Sequence, residues 1–144
     1  MPKNLNVFFS PKSIAVVGAS RSPKKVGAVI LKNLIESGYK GVLYPINQEA
    51  KTINKIKCFK SISDLPETPD LIVISIPSSV VPQILKEAGE KGTKNVIIIS
   101  AGFKEIGAEG EALEKEIIAI SREFGINILG PNCLGFVNSD SKVN

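Results

Sequence analysis

Five short apolar runs at similar intervals constrain this chain more than any other feature. They are Ile14–Val17, Val42–Ile46, Leu71–Ile76, Val96–Ile99 and Ile126–Leu129. Each is too short for a helix, most are rich in β-branched residues, and none alternates cleanly with polar residues. That combination marks strands covered on both faces. Three of the intervening gaps carry apolar residues at helical spacing. Val26, Val29, Ile30 and Leu34 make the first stripe, with Gly38 placed to end it. Val81, Ile84, Leu85 and Ala88 make the second, stopping near Gly89 or Gly92. Ala112, Leu113, Glu116, Ile117, Ile120 and Phe124 lie along the third, which Gly125 ends. Glu109 and Glu111 favour the start of that third helix through its dipole. Strands alternating with helices imply right-handed crossovers, and so a parallel sheet with helices on both faces. The expected fold is therefore α/β, a Rossmann-like doubly wound parallel sheet of five main strands in the order 3-2-1-4-5. Its reversal between the first and fourth strands places a ligand at their carboxyl ends. Two loops, Gly18–Lys25 and Ser100–Lys104, would flank it.

Between Asn47 and Pro69 the pattern weakens. Ile56 to Phe59 reads as a short edge strand, and Ser61 to Leu65 as a helical turn before Pro66. No repeat, charge block or low-complexity linker divides the chain, so residues 1–144 read as one domain, free-standing or the N-terminal piece of a longer subunit. The net charge of +4 comes with scattered lysines and few aromatics. This suits a small anionic ligand and argues against a nucleic-acid partner. Residues 1–5 lack a signal-type apolar core, and no apolar run approaches the ~18 residues of a membrane span. No membrane partner and a cytoplasmic location are expected. Cys58 and Cys133 lie far apart and the chain has no histidine, so two free thiols and no metal site are expected.

The segment from Ile14 to Gly27 carries the chemistry. An apolar strand meets Gly18, which permits a sharp turn and close approach of backbone to a ligand. Ser22 is placed to cap the following helix, with Pro23 in its first position. Lys24 and Lys25 then flank a helix N-terminus, whose amides attract phosphate. A phosphorylated small molecule follows from these residues.

A nicotinamide dinucleotide fits poorly. After Gly18 come Ala19, Ser20 and Arg21, so the G-x-G-x-x-G spacing is absent. The second strand ends Pro45-Ile46-Asn47-Gln48, without the acidic residue that binds a ribose 2′-hydroxyl. Arg21, Lys24 and Lys25 suit a ribose bearing its own phosphate. Coenzyme A matches that charge better than NAD does, and NADP stays open on charge alone.

Four segments together resemble one family. They are Gly18-Ala19-Ser20-Arg21-x-Pro23-x-Lys25-Val26-Gly27, Tyr44-Pro45-Ile46-Asn47, Ser100-Ala101-Gly102-Phe103 and Gly130-Pro131-Asn132-Cys133-Leu134-Gly135. In that order they resemble the N-terminal coenzyme A-binding domain of the NDP-forming acyl-CoA synthetases. That family includes the ADP-forming acetyl-CoA synthetases and is related to the succinyl-CoA synthetase α subunit. The resemblance runs from about Phe8 to Asn138. It implies coenzyme A as cofactor, with Gly18, Ala19, Ser20, Arg21, Lys24 and Lys25 around its phosphates. It sets Pro45 and Asn47 beside the adenosine, and Ile76 and Pro77 along the channel. Ser100, Ala101 and Gly102 would approach the pantetheine arm, and Asn132 and Cys133 its thiol end.

Cys133 has no histidine base to activate it, so it reads as a neighbour of the thiol rather than a nucleophile. Cys58 reads as a half-buried core residue. In the family a histidine in a following domain and a separate ATP-grasp unit relay the phosphoryl group. These 144 residues hold no histidine. The resemblance therefore implies a ligase whose catalytic residues lie outside this chain, with further synthetase domains or subunits as partners. The alternatives are a stand-alone regulatory domain sensing CoA or a dinucleotide, and a small NAD(P)-dependent oxidoreductase.

Overall fold

The computed structural model describes residues 5–144. In chain order the elements are α1 (Asn6–Phe9), β1 (Ser13–Val17), α2 (Val26–Glu36), β2 (Val42–Ile46), β3 (Thr52–Ile53), β4 (Ile56–Lys57), β5 (Leu71–Ile74), α3 (Val81–Lys91), β6 (Asn95–Ile98), α4 (Ala108–Phe124) and β7 (Asn127–Leu129). Short 3-10 turns at Ser78–Val80 and Lys104–Ile106 lead into α3 and α4. The five longer strands form one parallel sheet, β2-β1-β5-β6-β7, and β3 and β4 make a separate antiparallel hairpin.

Both faces of the sheet are covered, as the unbroken apolar runs require. Ala15, Val17, Ile72, Ile74, Val96 and Ile98 face Val81, Leu85 and Ala88 of α3 and Ile117 of α4. Ile14, Val16, Leu71, Val73 and Ile97 face Leu31 and Leu34 of α2, with Phe8 and Val143 completing that layer. One helix covers the first crossover and two cover the later ones. Right-handed connections give this arrangement when the chain moves one way from β1 and then the other.

The expected order 3-2-1-4-5 is corrected to 2-1-3-4-5, counting the five main strands along the chain. The reason lies in Pro45. Its carbonyl accepts the Phe59 amide at 2.9 Å on the side away from β1. A residue's N–H and C=O leave a strand in the same direction, so the missing proline N–H also falls on the open edge. Val42 is exposed as well, so β2 ends the sheet. Leu71–Ile74 is buried throughout and occupies an interior position beside β1. The reversal therefore lies between β1 and β5. The loops flanking it are Gly18–Lys25 and Ser75–Ser78, with Ser100–Lys104 one strand further along.

The start of α2 differs too. Residues 22–25 form a turn, closed by Lys25 N–H donating to the Ser22 carbonyl at 3.0 Å. The helix begins at Val26, after Lys25, without a side-chain cap. Pro23 thus shapes the approach to the helix instead of opening it. Of the expected edge strand Ile56–Phe59, Ile56 and Lys57 pair with β3, while Phe59 bridges to Ile46. The turn expected at Ser61–Leu65 is present, with Leu65 N–H donating to Ile62 O. α3 and α4 end at Gly92 and Gly125.

Candidate functional site

The carboxyl edge of the sheet is assembled backbone against backbone. Gly18 has φ +91°, and a Cβ there would lie 2.1 Å from the Ser75 carbonyl oxygen. A Cβ on Gly27 would lie 2.0 Å from the Gly18 carbonyl oxygen. The end of β1, the loop after β5 and the first turn of α2 therefore touch at one point, which no other residue type fits. The N-terminal amides and positive dipole end of α2, free of any side-chain cap, are open to an anion there.

Three side chains hold the loop that follows Gly18. Asn47, just past β2, donates from Nδ2 to the Ala19 carbonyl at 2.8 Å. Its Oδ1 accepts the Glu49 and Ala50 amides at 2.9 and 2.7 Å. Arg21 donates from Nε to the Thr52 carbonyl in the β3–β4 hairpin at 3.0 Å, and Ser20 Oγ accepts the Ser22 amide at 3.0 Å. Arg21 and the 220–250 Å³ spaces around the loop therefore sit on a frame built from a segment more than 25 residues away. Burial pushes the Cys58 thiol up, and the nearby Arg21 opposes that shift. Cys58 is a core residue, as expected, and is buried more fully than the half-buried position read from the sequence.

A cavity of about 540 Å³ runs along the strand ends, from Ile46 and Asn47 across Gly18 to Ile76, Pro77 and Gln83. A neighbouring space of about 220 Å³ shares Gly18, Ile76 and Pro77 with it and continues past Lys25 and Gly27 to Ser100. A third hollow, about 250 Å³, holds Ser20, Arg21 and Asn47. Together they form a trough crossing the point where the strand order reverses, where open α/β sheets take ligands. Its floor is apolar at Ile46, Ile76 and Pro77, and the space between Gly18 and Ser100 lies on the α2 N-terminus and Lys25. This suits an elongated ligand with a phosphate held beside Gly18 and the first turn of α2.

The far end is organised by Ser100. Its hydroxyl accepts the Ile76 amide at 3.1 Å and donates to the Ile76 carbonyl, while its carbonyl accepts the Asn132 amide at 3.0 Å. One residue thus ties together the loops after β5, β6 and β7. Gly102, with φ +104°, approaches so closely that a Cβ would stand 2.5 Å from Ser78 Oγ. Glu105 accepts the Gly102 amide and, at 3.1 Å, the Phe103 amide. The Gly102 amide, Glu105's own and that of Phe103 together hold its carboxyl below the ordinary carboxylate range. After a cis Gly130–Pro131 bond, Asn132 is exposed. Half-buried Cys133 lies 3.5 Å from the Ile98 carbonyl and 3.8 Å from that of Leu129.

Most residues read from the sequence come together here. Gly18, Ala19, Lys25, Asn47, Ile76, Pro77 and Ser100 line the two spaces that meet at Gly18, and Ser20 and Arg21 the third. The Ala19 side chain is itself buried. Lys24 is exposed and lines none of these spaces. Pro45 lies buried in β2, alternating with Tyr44 and Ile46, and also lines none. Ala101, Gly102, Asn132 and Cys133 sit on the loops gathered by Ser100 rather than on the walls. The walls also include Lys60, Ser61, Gln83 and Glu87. No local pattern marked these four, because they come from an irregular segment and the outer side of a helix.

An uncapped helix N-terminus and a glycine crossing at the switch point define a nucleotide-cofactor-binding domain of the doubly wound class. The position at the end of β2 that would serve a dinucleotide ribose is Asn47, whose oxygen already holds two amides. The chain belongs to the CoA binding domain family, which it matches over residues 12–139. It is a coenzyme A-binding domain. It is 46% identical to the α subunit of an ADP-forming acetate–CoA ligase I of Pyrococcus furiosus, covering 98% of this chain and 31% of that subunit. It is 47% identical to an ADP-forming 4-hydroxybutyrate–CoA ligase of Nitrosopumilus maritimus, covering 94% of this chain and 19% of that protein. A solved structure of the Ca. Korarchaeum cryptofilum dinucleotide-forming acetyl-coenzyme A synthetase 1, in complex with phosphate and ADP, superposes with a TM-score of 0.94 at 40% identity. That match covers 98% of this chain and 30% of the other. The chain thus spans about a third or less of the length of these relatives. Among the described residues no helix is long and apolar enough to cross a membrane.

Proposed function

We propose that this domain presents coenzyme A to the acyl-transfer chemistry of an ADP-forming acyl-CoA synthetase. The observation that carries the reading is the trough across the β1–β5 reversal, with the α2 N-terminus lining the space that joins it at Gly18. The pyrophosphate would rest against Gly18, Ser20 and the first turn of α2, with Lys25 and Arg21 as counter-charges. The adenosine would occupy the larger space beside Ile46, Asn47 and Pro77. The pantetheine arm would run the other way, past Ser100 toward Ala101 and Gly102, and its thiol would come near Asn132 and Cys133. Lys24 supplies charge from the surface, and Pro45 acts indirectly by ending the sheet.

The chain supplies binding and orientation. It contains no histidine, so phosphoryl relay falls to other domains or subunits of the synthetase, which are its proposed partners. Relatives at 46–47% identity that are ADP-forming ligases of acetate and 4-hydroxybutyrate support this assignment.

The test is thermal unfolding with CoA, dephospho-CoA, NADH and NADPH. A ligand that binds only the folded chain adds RT ln(1 + [L]/Kd), about 2.7 kcal/mol at a hundredfold excess over Kd. CoA is expected to raise Tm by several degrees, and dephospho-CoA by less. Stabilisation by NADH with none by CoA would overturn the reading.

A further inference from the structure

In the loop after β6 the Gly102 and Phe103 amides are engaged within the loop, while the Ala101 and Gly102 carbonyls are not. Glu105 takes the Gly102 and Phe103 N–H groups on the same carboxylate oxygen. Ser100 has its hydroxyl engaged by both backbone groups of Ile76, and its carbonyl by Asn132. In a trans peptide the carbonyl points opposite to the N–H of the next residue. The bonds joining Ala101 to Gly102 and Gly102 to Phe103 are trans, the one cis bond among the described residues being Gly130–Pro131. The Ala101 and Gly102 carbonyls therefore point away from Glu105, and neither accepts a hydrogen bond from the described residues. The loop cannot easily rotate out of this state. Phe103 is fully buried behind it, and Gly102 lies against Ser78.

We propose that Glu105 is a positioning residue for coenzyme A. By holding these two amides it fixes the Ala101 and Gly102 carbonyls on the side opposite its own carboxylate, as acceptors for the amide N–H groups of the pantetheine arm. The inference rests on the reading above, which runs that arm past Ser100. A pantetheine arm carries two amide donors, and a surface of fixed carbonyls is complementary to donors. The same loop with its peptides flipped would offer N–H groups, leaving donors opposed to donors. Glu105 does not touch the ligand. It selects which polar groups the loop shows.

The experiment measures calorimetric affinities for two ligands: CoA, and adenosine 3′,5′-diphosphate, which lacks the pantetheine arm. They are compared for the unaltered chain, Glu105→Gln and Glu105→Ala, with Tm recorded for each. Glu105→Ala is expected to weaken CoA about tenfold, the scale of losing charge-assisted hydrogen bonds, and to leave adenosine 3′,5′-diphosphate unchanged. Glu105→Gln keeps an acceptor oxygen and should recover part of the loss. If Glu105→Ala does not fold, Glu105→Gln carries the comparison, with a smaller loss for CoA alone. A carboxylate that only capped the turn before α4 would alter Tm and shift both ligands together, or neither, and that result overturns the proposal. Should the unaltered chain bind neither ligand, the coenzyme A reading itself fails and this inference falls with it. Binding of both ligands with no selective effect of Glu105 overturns the positioning role alone.

Discussion

The side chains that shape this site act mostly on backbone. Asn47, Ser100 and Glu105 each hold two or more main-chain groups, and Arg21 gives its Nε to a carbonyl. Loops at a sheet edge have few ladder bonds, so their polar groups need such partners. Ser100 is the sharpest case, because its hydroxyl satisfies both polar groups of Ile76. Ser100→Ala would leave a part-buried donor and acceptor unpaired, at a cost of about 1–3 kcal/mol. Urea denaturation measures it, and an unchanged midpoint would contradict the bracket. The sequence pointed to Ser100 as a ligand contact, while the structure gives its hydroxyl to a residue 24 positions away. Local spacing reveals that a loop exists and what residues it has. It does not reveal which distant carbonyl its serine will reach.

Strands and helices were legible to a good degree. All five apolar runs are strands of the main sheet, all three amphipathic stripes are helices, and each helix is closed by an expected glycine in the left-handed region, Gly38, Gly92 and Gly125. Their order in the sheet was not, although Pro45 and the wholly apolar Leu71–Ile74 carried the signal. The same edge strand is secured by both tyrosines of the chain. Tyr39 donates to the Pro11 carbonyl at 2.8 Å, and Tyr44 to Glu67 Oε1 at 2.6 Å. Burial raises both hydroxyls from 10.0 to about 12, with Asp70 adding to the first and Glu67 to the second. A raised folded-state pKa contributes stability that is complete below the unfolded value and is lost as pH rises through the folded one. These hydroxyls should therefore stabilise the chain fully below pH 10 and cease to do so toward pH 12. Tyrosinate absorbance should titrate later in the native chain than in denaturant. Coincident curves would disprove it.

The two ends of the described chain meet, a contact no periodicity announced. Asn138 pairs with Val143 through both backbone bonds and donates from Nδ2 to the Phe9 carbonyl at 2.8 Å. Ser37 Oγ donates to the Lys142 carbonyl at 2.6 Å, and the Phe9 and Phe136 rings stand 5.1 Å apart. The polar tail thus closes the α2 face of the sheet with one buried side chain, Val143, 5% exposed. Val143→Ala should cost about 1–2 kcal/mol from the methyl groups returned to water, read as a lower Tm. No change would mean the tail does not belong to the folded unit.

Apolar period, glycine placement and scattered charge decided the class of fold, the number of main strands and the preference for a phosphorylated ligand. These properties depend on near neighbours in the chain, where side-chain size and backbone freedom act directly. Tertiary packing decided the strand order, the true start of α2 and the framing of the phosphate loop by Asn47. It also set the direction in which the loop after β6 shows its polar groups. Each of these depends on hydrogen bonds and contacts between residues far apart in sequence, which form only once the sheet has closed. Gly18 belongs to both accounts. Its sequence position announced a turn, and only the assembled sheet explains the glycine: the Ser75 carbonyl stands where any side chain would have to be.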